Sequence, residues 1–245
     1  MEENVIVGRN PVREALQAGR PVNKIFMSSK ISAGVAGEIK AFAKERGIPV
    51  QVVDKQRLDR LAQGANHQGM VAIAAAKGYV DIDDLLCERA GGRLPLLFIL
   101  DEINDPRNFG AILRTADAVG VDGVIIPRHR AVAITPAVAK TSAGAVEYVP
   151  VARVTNIART IEYLKEKGFW IAGAHGDGGQ LYWDVDFNVP LAIVVGGEDK
   201  GLSRLVRNKC DFLIKIPMAG RVGSLNASVA AALLMYEVLR QRRRD

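Results

Sequence analysis

The sequence predicts an α/β protein in two units, a small amino-terminal one and a larger one built on a mostly parallel sheet. Three observations lead there. Short apolar runs alternate with helix-length stretches from one end of the chain to the other. The run Leu96–Leu100 is apolar at every position, as a strand buried on both faces requires. Helix-length stretches close on Gly19, Gly47 and Gly120, and glycine ends helices at little steric cost.

Taken in order, Asn10-Pro11 predicts a helix start, with a capping side chain before proline at the first helical position. That helix stops near Gly19. A strand over Val22–Met27, a helix over 33–46, a strand over 49–53, a short helix over 56–63 and the run 69–76 complete a unit spanning 1–76. Residues 77–94 turn polar and glycine-containing, the composition of a linker. The second unit, 95–245, opens with the strand at 96–100. A helix over 109–119, a strand over 123–126, a helix over 135–141, a strand near 147–151 and a helix over 156–167 follow. Strands at 169–173, 191–195 and 212–216, a helix over 203–209 and a long final helix complete it.

Composition narrows the function classes. Of 245 residues, 49% are apolar, ample for a core, and no stretch has the length of uninterrupted apolar residues that a membrane span needs. The acidic start, Met-Glu-Glu-Asn, argues against a secretory signal. Cys87 and Cys210 stand far apart, which speaks against a disulfide framework or a Cys-based zinc site and for a reducing cytoplasm. The net charge of +6 suits a polyanionic partner, and it is shared: 14 basic against 11 acidic residues in 1–95, 19 against 16 beyond. The basic run Arg240–Arg244 reads equally as a solvated helix end or a nucleic-acid contact. His67, His129 and His175 share no metal-ligand spacing, so no metal is expected; Trp170 and Trp183 read as core or interface.

Ligands of open parallel sheets bind beyond the carboxyl ends of strands, and three segments lie there. In 101–116, Asn108 sits where a helix cap belongs. Arg114 falls nearly two turns later, with a guanidinium fork suited to phosphate. A plain cap and a solvated arginine explain the same pattern. In 194–203, Gly196 and Gly197 follow a buried strand and permit close backbone approach, while Glu198 has little packing role between glycines; a simple turn is the alternative. Ser203 reads as the cap of the next helix. In 216–228, Ser224, Asn226 and Ser228 crowd the mouth of an apolar helix, where one cap would suffice. The surplus points to a ligand pocket.

Together the segments Asn108-Phe-Gly-Ala-Ile-Leu-Arg114, Gly196-Gly-Glu198-Asp-Lys-Gly201 and Ile216-Pro-Met with Ser224-Leu-Asn226-Ala-Ser228 resemble the motifs of the SpoU (TrmH-like) branch of the SPOUT RNA 2′-O-ribose methyltransferases. Residues 1–76 are similar to the RNA-binding domain that precedes the catalytic one in many members, through Gly8-Arg-Asn-Pro-Val-Arg and Asn66-His-Gln-Gly-Met. The two-domain form looks most like enzymes that methylate a guanosine ribose in 23S rRNA. The resemblance implies S-adenosylmethionine as methyl donor, a homodimer, and a carboxy-terminal trefoil knot enclosing the cofactor pocket. It assigns Gly196, Gly197, Ile216, Met218 and Leu225 to the cofactor, and Asn108, Arg114, Glu198, Ser224 and Asn226 to catalysis. Arg9, Arg13, Arg107 and Arg128 are the candidate RNA contacts, although the loop carrying Arg128 reads equally as solvated. Transfer to tRNA or to an rRNA adenosine, and a non-catalytic RNA-binding or ribosome-assembly role, are the rival readings.

Overall fold

The computed structural model describes residues 3–86, 92–197 and 201–243. The chain divides into two compact units. One gathers Met1–Gly78 with a returning segment, Ile134–Tyr148; the other holds Tyr79–Ala133 and Val149–Asp245.

The first unit is a four-stranded mixed sheet. Strands β1 (Glu3–Val7), β2 (Val22–Ser28), β3 (Val50–Val53) and β4 (Met70–Ala75) lie in the order β1-β4-β2-β3. Only the β2–β3 pair is parallel. Helices α1 (Arg9–Gln17) and α2 (Ala33–Glu45) bury Val12, Leu16, Ile39 and Ala43 against one face. On the other, α3 (Lys55–Leu61) packs Leu58 over Phe26 and Val71. The start of α1 corrects the sequence reading. Gly8, at φ 110°, is the cap position and the helix begins at Arg9. Pro11 therefore lies deeper in the first turn, where its missing N–H still costs nothing. Strand β1, absent from the sequence reading, is an edge strand of only five residues.

The returning segment carries α5 (Pro136–Thr141) and a 3₁₀ turn, Ala145–Glu147, so the strand expected near 147–151 begins only at Val151. Glu147 explains the difference. Its carboxylate is buried and takes a 2.6 Å ion pair from Arg20 Nη1, while Arg20 also donates to the Ala75 carbonyl through Nε and Nη2. Lys77 donates to the Glu147 carbonyl at 2.7 Å. A strand here would withdraw the carboxylate from its partner, and an unpaired buried charge costs several kcal/mol.

The second unit is a seven-stranded sheet in the order β7-β6-β5-β10-β8-β11-β9, every pairing parallel. Its strands are β5 (Leu96–Asp101), β6 (Gly123–Pro127), β7 (Val151–Val154), β8 (Trp170–Ala174), β9 (Gln180–Leu181), β10 (Leu191–Gly196) and β11 (Phe212–Lys215). Helices α4 (Pro106–Val119), α6 (Ile157–Glu166), α7 (Arg204–Lys209) and α8 (Ala227–Arg242) accompany it. β5 is buried at all six positions, as its uniform apolarity foretold. The stretch 77–94 is more than a spacer: Val80 bridges Ala152, and Leu85 is buried in the core of this unit. Residues 87–91, including Cys87, lie outside the described residues.

Two further expectations change. Trp170 and Trp183, read as core or interface, are 53% and 43% exposed, which removes the core alternative alone. The basic run at the end of α8 is divided. Arg242 turns inward and donates to the carbonyls of Leu94, Pro95, Phe187 and Val189, whereas Arg240 pairs with Glu237. Cys210 is a free thiol whose pKa burial pushes up to about 11. Among the described residues no helix is long and apolar enough to cross a membrane.

Candidate active site

A cavity of about 680 Å³ opens at the carboxyl ends of β8, β10 and β11. Its walls are Ala174–Asp177 after β8, Val195–Gly197 and Gly201 after β10, and Ile214–Met218 after β11, closed by Gly223–Leu225 and the first turns of α8. Gly196, Gly197, Ile216, Met218, Leu225 and Ser224 thus share one cavity. The volume falls in the range of small-molecule sites, and the lining offers what they require: apolar surface from Val195, Ile214 and Leu234, with backbone amides and carbonyls from the loops.

The two glycines have a stricter reason for being glycine than ligand approach. A Cβ on Gly196 would lie 2.2 Å from the Gly201 carbonyl carbon, and one on Gly197 would lie 2.7 Å from the Glu102 carbonyl oxygen. The chain after β10 folds straight back on itself, with Gly201 N–H donating to the Gly197 carbonyl at 3.0 Å. Glu102 itself takes a left-handed conformation, φ 62°, at the exit of β5, a strained state of the kind that collects at functional sites. Glu198 lies outside the described residues.

Beside the cavity, two helix starts meet. Asp105 caps α4 by accepting from the Arg107 N–H at 2.8 Å, with Pro106 at the first helical position. Asn108, expected at the cap, is therefore the third residue inside the helix. Asn226 caps α8. Its Oδ1 accepts from the Ser228 N–H at 3.0 Å and from Ser228 Oγ at 2.6 Å. Its Nδ2 donates to Asn108 Oδ1 at 3.0 Å. The Ser228 N–H can only donate, so it fixes which end of the amide is oxygen, and the NH₂ of Asn226 must face Asn108. Ser203 caps α7 as expected, accepting from the Val206 N–H.

Arg114 is exposed on α4 and makes no hydrogen bond or ion pair to a described residue. Arg107, seven residues earlier, falls on the same helical face, with small Ala111 between them. That face presents two guanidinium groups across two turns. Arg128 is exposed after β6, its carbonyl held by Arg153 Nη2. In the first unit Arg9 is exposed, and Arg13 pairs with Glu14 at 3.2 Å. Asp101, at the carboxyl end of β5, is buried. Burial raises its carboxyl above the usual aspartate range, while the Ser203 N–H at 3.4 Å pulls the other way.

The sequence reading missed the loop after β8. His175 and Asp177 stand on the cavity wall, and His175 Nδ1 accepts the Asp177 N–H at 3.1 Å. That bond leaves the other ring nitrogen to carry the proton in the neutral tautomer. The available signal was the run Ala174-His-Gly-Asp-Gly-Gly, small residues around two polar ones straight after an apolar strand. Among the described residues no cluster of three or more His, Cys, Asp or Glu is arranged for a metal ion.

Comparison with known proteins adds the following. Residues 95–236 match the SpoU rRNA Methylase family, and residues 5–80 match the family of RNA 2′-O ribose methyltransferase substrate binding domains. YacO of Bacillus subtilis, named for the TrmH family of tRNA/rRNA methyltransferases, is 49% identical over 242 residues, covering 98% of this chain and 97% of its own. A Staphylococcus haemolyticus protein named for the same family is 53% identical over 243 residues, covering 99% and 97%. Among solved structures, the SpoU methyltransferase AviRb from Streptomyces viridochromogenes in complex with AdoMet superposes with a TM-score of 0.81 at 28% identity, covering 98% of this chain and 90% of that one.

Proposed function

Because the chain belongs to the SpoU rRNA Methylase family, we propose that it transfers a methyl group from S-adenosylmethionine to the 2′-hydroxyl of a ribose in RNA, a guanosine of 23S rRNA. The observation that carries the proposal is the continuity of cavity and amide pair. Ser224 and Leu225 line the cavity, and the next residue, Asn226, holds Asn108. AviRb supports the choice of cofactor, since it was solved with AdoMet bound.

S-adenosylmethionine, when bound, supplies a methyl group already activated on a sulfonium. Gly196, Gly197, Ile216, Met218 and Leu225 hold it, largely through backbone groups, as the cavity lining favours. The chain's remaining task is to bring a poor nucleophile into line and help it lose a proton. Arg114 cannot act as the base, because arginine stays protonated in proteins. Its fork grips the phosphate next to the target ribose and stabilises negative charge developing on the 2′-oxygen, a contribution of about 3 kcal/mol in comparable sites. The Asn108–Asn226 pair orients the ribose, with Ser224 beside it. The proton leaves toward the phosphate or Glu198. Arg107 and Arg128 on the second unit, and Arg9 and Arg13 on the first, contact the RNA backbone in the cytoplasm.

Arg114→Lys keeps the charge and removes the fork. Turnover should fall by about a hundredfold with cofactor affinity unchanged; a lysine enzyme retaining near-full turnover would remove the clamp from the mechanism. A second copy of the chain belongs on the outer face of α8. There Val229, Leu233 and Tyr236 are 47%, 38% and 53% exposed, beside Ala111 and Thr115 of α4.

A further inference from the structure

The first unit carries an unpaired pair of cations on the face of its sheet that α3 covers. Lys24 Nζ sits 5.1 Å, and Arg57 Cζ 5.7 Å, from the centroid of the same Phe26 ring. Phe26 is 4% exposed, so the ring serves as the floor on which the cations rest rather than as a stacking surface. Neither side chain has a hydrogen bond or an ion pair with a described residue. The α3 carboxylates are engaged elsewhere: Asp54 accepts the Arg57 backbone N–H, and Asp59 bonds His67. Two like charges over one ring repel each other, and the ring attracts each only weakly. Such a pair is stabilised by an anion bridging it.

The surroundings select the anion. Across the sheet Lys24 stands opposite Ile73, and Ile73 opposite Val5. α3 covers the neighbouring row through Val7, Val71 and Phe26, but Val5, Ile73 and Lys24 remain half-open. Lys55 and Arg60, both exposed, add charge along α3. A strip of apolar surface bordered by cations matches a nucleotide chain, which carries phosphates along one edge and bases along the other.

We propose that this face of the first unit, with Lys24 and Arg57 bridging a phosphodiester and the Val5–Ile73 row accepting a base, is a docking surface for unpaired RNA. It rests on the RNA methyltransferase reading and adds a site to it, on the sheet face opposite α1 and α2.

The test uses the full chain and a labelled oligouridylate of about a dozen nucleotides, with affinity followed by anisotropy across a salt series. The double variant Lys24→Gln with Arg57→Gln should bind about tenfold more weakly at moderate salt, and its salt slope should flatten by about 1. Lys40→Gln with Lys44→Gln removes the same charge from exposed positions on α2 and should bind as the parent does. Lys24→Arg with Arg57→Lys should also retain affinity. Equal loss in the first two variants, no loss in either, or loss in the charge-retaining exchange would overturn the site. Methyl transfer to ribosomal RNA by the parent protein is scored separately. A parent that fails to methylate sinks the reaction proposed above, whereas the oligonucleotide result decides the surface.

Discussion

Asn226 holds two tasks that one substitution separates. Aspartate caps a helix as well as asparagine does and suits the helix dipole better. It cannot donate to Asn108, and it sets a negative charge where a phosphate is to bind. Asn226→Asp should therefore keep its melting temperature and cofactor affinity while turnover falls by about a hundredfold; an active aspartate variant would reduce Asn226 to a cap. Asp101 makes a pH prediction. Burial raises its carboxyl, so the folded chain holds that proton more tightly than the unfolded chain. Its contribution to stability is then lost as pH climbs from the ordinary aspartate range through the raised value. Asp101→Asn should remove this slope, so that variant and parent diverge in thermal melts as pH rises above the ordinary aspartate range; parallel curves would contradict it. Residue types were easier to read than residue duties. Asn108 looked like a cap because it begins an apolar run, but Asp105-Pro106 three residues earlier is the stronger start signal. The surplus of small polar residues before α8 was legible, yet the second bond of Asn226, to Asn108, reaches a partner 118 residues away that leaves no local mark.

At the scale of elements, the loops beyond β8, β10 and β11 form the cavity, and their glycines are not equivalent. Gly196→Ala drives a methyl group into the Gly201 backbone and should cost roughly 3 kcal/mol or more, with loss of cofactor binding. Gly220→Ala meets nothing within 4 Å and should change the melting temperature little. Matching effects in the two variants, read by thermal melting and calorimetric titration of S-adenosylmethionine, would refute the close-packed return after β10. The long apolar strands and the glycine-closed helices were legible because burial on both faces and helix termination leave local marks. Strand β1, the two-residue β9 and the 3₁₀ turn at Ala145–Glu147 left none. The turn is set by Arg20, which is remote in sequence, and a pair of residues in β9 has no period to read.

For the whole molecule, the α/β class and parallel sheet follow from patterning, while threading of the chain does not, because periodicity is blind to which segment passes through which loop. The grouping of 134–148 with the first unit was equally invisible, since it rests on contacts remote in sequence, such as Arg20 with Glu147. Assembly is predicted from the outer face of α8. Leu233→Arg should convert a dimer to a monomer in sedimentation, and an unchanged mass would place the contact elsewhere. The central claim is the reaction itself. Ribosomal RNA lacking the modification should be incubated with the protein and S-adenosylmethionine labelled in its methyl group, then hydrolysed in alkali. Methylation of a 2′-hydroxyl blocks cleavage at that position, so the account predicts label in alkali-resistant dinucleotides that begin with guanosine. Label released entirely in mononucleotides, or none incorporated, would contradict it.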